Sequence, residues 1–395
     1  MNFSNKRFVG IALIVLASFS GTFAFRLSIP IVAFFTRNFL GATMFSVSAI
    51  FVVFMLSRAL SSVTMGRLLE SKKALVFAGS VAMIGNAILV RAYGLATSWT
   101  DILVLRAING VLNGVSWPIA QFVVTSTSPE SMKSRVSSGY MIAGTVASIV
   151  ANYVYAYTTK YPMNLQLMIS SGGYIITGLL MFSSYFILYK DIVPKKVPKD
   201  REESYGPKNV QIVNYLVITL LLFCSLSFMN GDVFYVYLSE KLSLSKEDTS
   251  RLVANISIVA SILSYLVAWF ADRKNVRERV LKHAALIGSL SPLMIMVTFP
   301  PIMLLGTILG LTSLRIFTPL IRSYLASKAT RVSLAFGSIN MFQNMGVMLG
   351  QIFFGSLYDL LPPIIFGGLL FSPIAILGIP GIAAAILSIK LKIRN

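Results

Sequence analysis

Twelve apolar runs, each about 20 residues or longer, take up almost the whole chain, and that is the length a helix needs to cross the hydrocarbon core of a bilayer. They fall at 8–36, 42–69, 74–95, 99–127, 135–158 and 165–189, then at 211–239, 248–271, 279–299, 301–327, 333–359 and 363–390. In lipid the backbone must satisfy its own hydrogen bonds, so runs of this kind are expected to be helices. Turn or charge signals separate them, including Arg37 to Gly41, Ser128 to Lys133, Lys160 to Pro162, Pro300 with Pro301 and Pro362 with Pro363. The expected fold class is an all-α membrane protein with twelve transmembrane helices.

Composition agrees. A chain of 395 residues that is 56% hydrophobic and 12% charged, with mean hydropathy +0.77, has more apolar surface than a water-soluble core can hide. The net charge of +20 raises the question of nucleic acid, but that needs basic clusters interleaved with exposed aromatics on a soluble domain, and the sequence has none. Cys224 is the one cysteine, which excludes an internal disulfide and a cysteine-built metal site. His283 is the one histidine and lies in a basic loop, so no metal and no cofactor is expected. Lys6 and Arg7 precede a run too long for a signal-peptide core, and the first helix is expected to be retained. With no arginine- and serine-rich leader, the expected location is a prokaryotic cell membrane.

Basic residues accumulate on the cytoplasmic side of membrane proteins. With both termini inside, 24 of the 34 lysines and arginines fall in the tails and the even-numbered connections. Six fall outside (Arg37, Arg91, Lys160, Lys241, Lys246, Arg251), and Arg26, Arg58, Arg106 and Arg315 fall within spans. The longest polar stretch, Asp191 to Asn209, has three prolines, a glycine and dense mixed charge, as a linker would. The expected organisation is an N-terminal six-helix bundle over 1–189, a cytoplasmic linker over 190–210 and a C-terminal six-helix bundle over 211–395. A weak repeat supports pseudo-symmetric halves: GRLLESKK from Gly66 to Lys73 is echoed by AWFADRKN from Ala268 to Asn275, and Arg106 is echoed by Arg315.

These residues carry a resemblance. Gly66, Arg67, Leu68, Leu69, Glu70, Lys72 and Lys73 resemble the loop signature GxLaDrxGrr of the major facilitator superfamily, with Asp272 and Arg273 in the second-half copy. Glu70 stands where the family has aspartate, and the second glycine is missing. Arg106, Asn109 and Gly110 resemble the family's RxxqG pattern. The glycine-proline motif of many antiporters is absent from the fifth run, which speaks against a drug antiporter. The resemblance implies two bundles around a midplane cavity that opens alternately to either side, hence a secondary active transporter and no enzyme. It also implies that Glu70 and its neighbours gate the cytoplasmic face.

Arg106 shares one helical face with Asn109, Gly110, Asn113, Trp117 and Gln121. Further stripes are Asn340, Gln343, Asn344 and Gln351; Arg315, Thr318 and Arg322; Thr22, Arg26 and Pro30; and Asn214, Ser225, Asp232 and Tyr235. Polar stripes on membrane helices are expected to face a cavity. An arginine in the hydrocarbon costs several kcal/mol unless paired or hydrated, and the spans hold four arginines against one acid, Asp232. Arg26, Arg106 and Arg315 are therefore expected to form a positive cavity for an organic or phosphorylated anion, with Asn109, Asn113, Trp117, Asn340 and Asn344 as further substrate contacts.

The plainer readings stay open. Arg106 can be a structural family arginine, Arg26 can snorkel, Arg58 reads as structural, and amide stripes also serve helix packing. Asp232 is either the proton-coupling carboxyl or a salt-bridge partner of Arg26. Gly110 with Gly114, and Gly346 with Gly350, read as close helix contacts. With no signal for obligatory dimerisation, the expected unit is a monomer. Efflux of drugs or other amphipathic compounds is the alternative within transport. A transporter-derived sensor would have the same sequence features, whereas a membrane enzyme would need a cluster of acids or a nucleophile with its base, and the acids here are scattered.

Overall fold

The computed structural model describes residues 5–71, 73–129, 132–192, 210–229, 231–274, 276–297, 299–328, 332–361, 364–366, 369–371 and 376–390. Its helices are α1 (Asn5–Phe34), α2 (Met44–Ser71), α3 (Val76–Ala92), α4 (Trp99–Thr127), α5 (Lys133–Thr158), α6 (Met163–Leu188), α7 (Val210–Ser225), α8 (Asp232–Leu242), α9 (Lys246–Arg273), α10 (Arg277–Ile295), α11 (Pro300–Lys328), α12 (Val332–Leu360) and α13 (Gly378–Lys390). Among the described residues the fold is all-α apart from one short hairpin. By length and composition, seven of the described helices can cross a membrane. Large apolar side chains such as Ile88, Phe186 and Tyr265 lie exposed on their outer faces, as suits contact with lipid.

Helix ends follow local chemistry. The Ser98 hydroxyl accepts the Asp101 amide while Asp101 accepts the amides of Thr97 and Ser98, a reciprocal cap that starts α4. Ser245 caps α9 by accepting the Asp248 amide at 3.0 Å. Pro300 begins α11, where a missing N–H costs nothing.

Two runs differ from expectation. The seventh, expected as one helix over 211–239, is broken: α7 ends at Ser225, a 3-10 turn covers Ser227–Met229, and α8 begins at Asp232. Gly231 at the break has φ 88° and ψ −156°, a region open in practice to glycine alone. The twelfth, expected as a helix over 363–390, is α-helical among the described residues from Gly378. Before it, β1 (Ile364–Phe366) pairs antiparallel with β2 (Leu369–Phe371), Ile364 opposite Phe371. Pro362, Pro363 and Pro373 in the sequence disfavour helix over this stretch. Residues 193–209, which include most of the expected linker, lie outside the described residues.

The chain forms two units. The first comprises Met1–Ala42, Ile50–Glu203 and Ser245–Ala254, and the second Thr43–Ala49, Ser204–Leu244 and Asn255–Asn395. In the first, α1 packs on α5 and α6, and α3 on α4 and α6. Hydroxyls tie these contacts across helices: Ser170 donates to the Ala24 carbonyl, Ser184 to Gly10, Ser171 to Ala87 and Ser116 to Gly79. In the second, α10 packs on α11 and α13, and α7 on α12 and α13. Both expected glycine pairs lie at close crossings. A Cβ at Gly110 or Gly114 would meet the carbonyl oxygens of Phe54 or Arg58 on α2, and one at Gly346 or Gly350 those of Leu220 or Cys224 on α7.

Candidate functional site

The stripe on α4 is divided by its surroundings. Arg106 is 1% exposed, its Cζ 5.9 Å from the Phe25 ring centroid, 6.0 Å from that of Phe54 and 5.3 Å from that of Tyr93. Three aromatic faces thus offset part of the cost of burying the guanidinium, each contributing about 0.5–2 kcal/mol. One turn on, the Asn109 amide donates to the Asn86 side-chain oxygen at 2.7 Å. Asn113 donates to the Asn109 carbonyl at 2.8 Å and accepts from the Trp117 indole at 2.9 Å. Tyr174 of α6 lies beside Asn109, Asn113 and Arg106. Arg106, Asn109 and Asn113 are therefore set into the interior of the first unit, while Trp117 is partly exposed and Gln121 exposed.

A second group lies on α1, α2 and α5. Phe25 stacks on Phe54 with centroids 5.1 Å apart and planes at 21°, which holds α1 against α2. Arg26 follows Phe25, and Arg58 follows Phe54 by one turn. Arg58 lies within electrostatic range of Arg26, Tyr140 and Tyr174. Both guanidiniums belong to partly exposed residues, and neither makes a hydrogen bond or ion pair with a described residue. Tyr140 is 6% exposed, and its carbonyl accepts the Ser18 hydroxyl at 3.0 Å, which fixes α5 to α1.

In the second unit, Arg315 donates through Nη1 to the Ser257 carbonyl at 2.5 Å and to the Ser261 hydroxyl of α9. Arg322 donates to the Asn340 side chain at 2.8 Å, and Asn344 is partly exposed. Asp232 is the first residue of α8 and 2% exposed. Gln351 supports the break before it by donating to the Ser227 carbonyl at 2.7 Å. At the end of α12, Asp359 accepts the amides of Met44 and Phe45 at 3.0 and 2.7 Å, while Tyr358 donates to Glu240 at 2.5 Å. Half-burial holds the neighbouring Lys241 ammonium below the usual lysine range, an effect that Glu240 opposes.

Within the first unit, Arg58 is thus joined by Arg26 and Tyr140, while Arg106 is enclosed by Phe25, Phe54 and Tyr93 with Tyr174 beside it. Sequence reasoning took Arg58 as structural and missed the three tyrosines, because no helical spacing links positions on different helices. Of the expected gate, Arg273 is exposed with its guanidinium 5.2 Å over Trp269. Lys72 and the side chains of Gly66, Arg67, Glu70, Lys73 and Asp272 lie outside the described residues. A separate open groove of about 590 Å³, lined by Tyr153, Val154, Tyr157 and Arg251, lies toward the other end of α5 from Tyr140.

Bundled apolar helices with apolar outer faces and buried polar side chains define a polytopic membrane protein. The model of the Major Facilitator Superfamily matches residues 14–351, and the chain belongs to that superfamily. Among solved structures, the peptide transporter POT in complex with alafosfalin is similar over 96% of this chain and 93% of its own, with TM-score 0.75 and 13% identity. The nucleoside transporter NupG is similar over 97% and 100%, with TM-score 0.70 and 13% identity. A bacterial homologue of the iron transporter ferroportin, in an inward-facing state, is similar over 99% of both chains, with TM-score 0.72 and 12% identity. Among curated proteins, none matches this sequence. The chain is a multi-pass integral membrane protein and a secondary transporter of small molecules.

Proposed function

We propose that the chain moves a small organic or phosphorylated anion across a cell membrane by alternating access between bundles formed by residues 1–189 and 211–395. The observation that carries this reading is the pair Arg26 and Arg58, partly exposed and within electrostatic range of each other, whose guanidiniums make no hydrogen bond or ion pair with a described residue. Like charges within electrostatic range of each other repel, and more strongly as the effective dielectric falls below that of water. The described membrane-spanning interior of this unit holds Arg26, Arg58 and Arg106 and no aspartate or glutamate, so an anion would relieve the repulsion.

A thermal-shift screen of the detergent-purified protein against anionic, neutral and cationic metabolites and amphipathic drugs tests this. Stabilisation confined to anions is expected. Stabilisation by cations or drugs that survives Arg26→Gln would move the reading to amphipathic efflux.

The same proposal makes Asp232 the proton carrier. It is an almost fully buried acid placed where a helix is interrupted, and interrupted helices commonly form ion and substrate sites in transporters. Asp232→Asn is expected to abolish accumulation driven by a pH gradient in proteoliposomes and to leave counterflow exchange intact. Driven uptake at the wild-type level would remove Asp232 from the coupling.

A further inference from the structure

The arrangement around Arg58 narrows the class of anion, and this step rests on the anion reading above. We propose that Arg26 and Arg58 act as one site for a doubly charged oxyanion, such as a phosphate monoester or a small dicarboxylate, in preference to a monocarboxylate.

Position comes first. The Phe25–Phe54 stack fixes α1 against α2 one residue before Arg26 and one turn before Arg58. Behind α2, Gly110 and Gly114 let α4 approach the carbonyl oxygens of Phe54 and Arg58, so the backbone that carries Arg58 is held from that side as well. The interior beneath is filled: Arg106 occupies it, enclosed by Phe25, Phe54 and Tyr93, with Tyr174 alongside. Neither Arg26 nor Arg58 can relieve its charge by withdrawing into the bundle, because the space there is aromatic and already cationic. Arg58 stays within electrostatic range of Arg26 and of the Tyr140 side chain.

Charge count comes second. A monocarboxylate neutralises one of the two cations and leaves the other beside buried Arg106. A dianion neutralises both, and its oxygens can accept from two planar forks, each of which offers paired N–H donors. The preference for two charges over one is a property of the pair and should vanish when either arginine is removed.

Isothermal titration of the full-length, detergent-purified protein with glycerol 3-phosphate, succinate and lactate tests this. The expected result is at least tenfold tighter binding of one dianion than of lactate. Arg26→Gln and Arg58→Gln should each erase that preference, with lactate affinity changed by less than threefold. Arg37→Gln, outside the cluster, should leave the preference intact. A second readout needs no variant. The second pKa of a phosphate monoester lies near 6, so wild-type affinity for glycerol 3-phosphate should fall roughly tenfold from pH 7.5 to 5.0 as the ligand loses its second charge. Equal affinity for lactate and both dianions would overturn the two-charge site and leave the anion reading standing. Binding of none of the three, with stabilisation by neutral or cationic compounds, would overturn both. A glycerol 3-phosphate affinity that stays flat across that pH range, or a preference that survives both substitutions, would overturn the two-charge site alone.

Discussion

Gly114→Leu and Gly350→Leu are each expected to abolish recovery of monodisperse protein from detergent, read by size-exclusion chromatography of a fluorescent fusion. At both positions a side chain would run into a backbone carbonyl of the neighbouring helix, Arg58 on α2 and Cys224 on α7, as well as the hydroxyls of Ser61 and Ser227. Backbone cannot rotate away as a side-chain tip can. Alanine at either site is expected to cost about 1–3 kcal/mol, the range for overpacking a tight contact, and leucine more. Gly139 is the control, since a Cβ there meets nothing within 4 Å. Gly139→Ala should be neutral or slightly stabilising, because alanine is the better helix former. Equal tolerance of leucine at Gly114, Gly350 and Gly139 would contradict these crossings.

The second large effect concerns transport. Arg26→Gln and Arg58→Gln should each reduce uptake of a doubly charged anion into proteoliposomes by about ten- to 150-fold, while the melting temperature without substrate stays near that of the wild type. A hydrogen bond to a charged group contributes about 1.5–3 kcal/mol, and every 1.4 kcal/mol is a factor of ten in affinity. Arg106→Gln should behave differently. Its guanidinium is enclosed by Phe25, Phe54 and Tyr93, so the substitution removes packing and cation–π contacts from the interior. Its main expected effect is a lower melting temperature, measured on the same preparations. If Arg106→Gln instead loses uptake with full stability while Arg58→Gln transports normally, the roles of the two arginines are reversed.

Ten of the twelve expected spans agree with helices to within a few residues, because membrane-spanning length and apolarity are local properties of the chain. The seventh is broken although LLLFCSLSF, apolar but for Ser225 and Ser227, carries no charge, glycine or proline before Asn230 and Gly231, and only the positive φ at Gly231 shows that the glycine is a break. The twelfth differs because Pro362, Pro363 and Pro373 disfavour helix in a stretch whose hydropathy alone favours a span. For the site, the helical face shared by Arg106, Asn109 and Asn113 was legible, yet periodicity supplies a direction and not what lies opposite. What lies opposite is Asn86 and Tyr93 of the α3 region, Phe54 of α2 and Tyr174 of α6, and the three residues are buried accordingly. Arg58 became visible only through tertiary structure, by the aromatic stack that brings its helix to Arg26.

The most direct measurement of the central claim is uptake of radiolabelled solutes by proteoliposomes containing the purified wild-type chain, with a matched set of organic anions, neutral metabolites and cations of similar size. The prediction is saturable uptake of at least one anion, competed by other anions and not by the cations. Saturable transport of neutral or cationic compounds, unaffected by excess anion and unchanged in Arg26→Gln and Arg58→Gln, would contradict it.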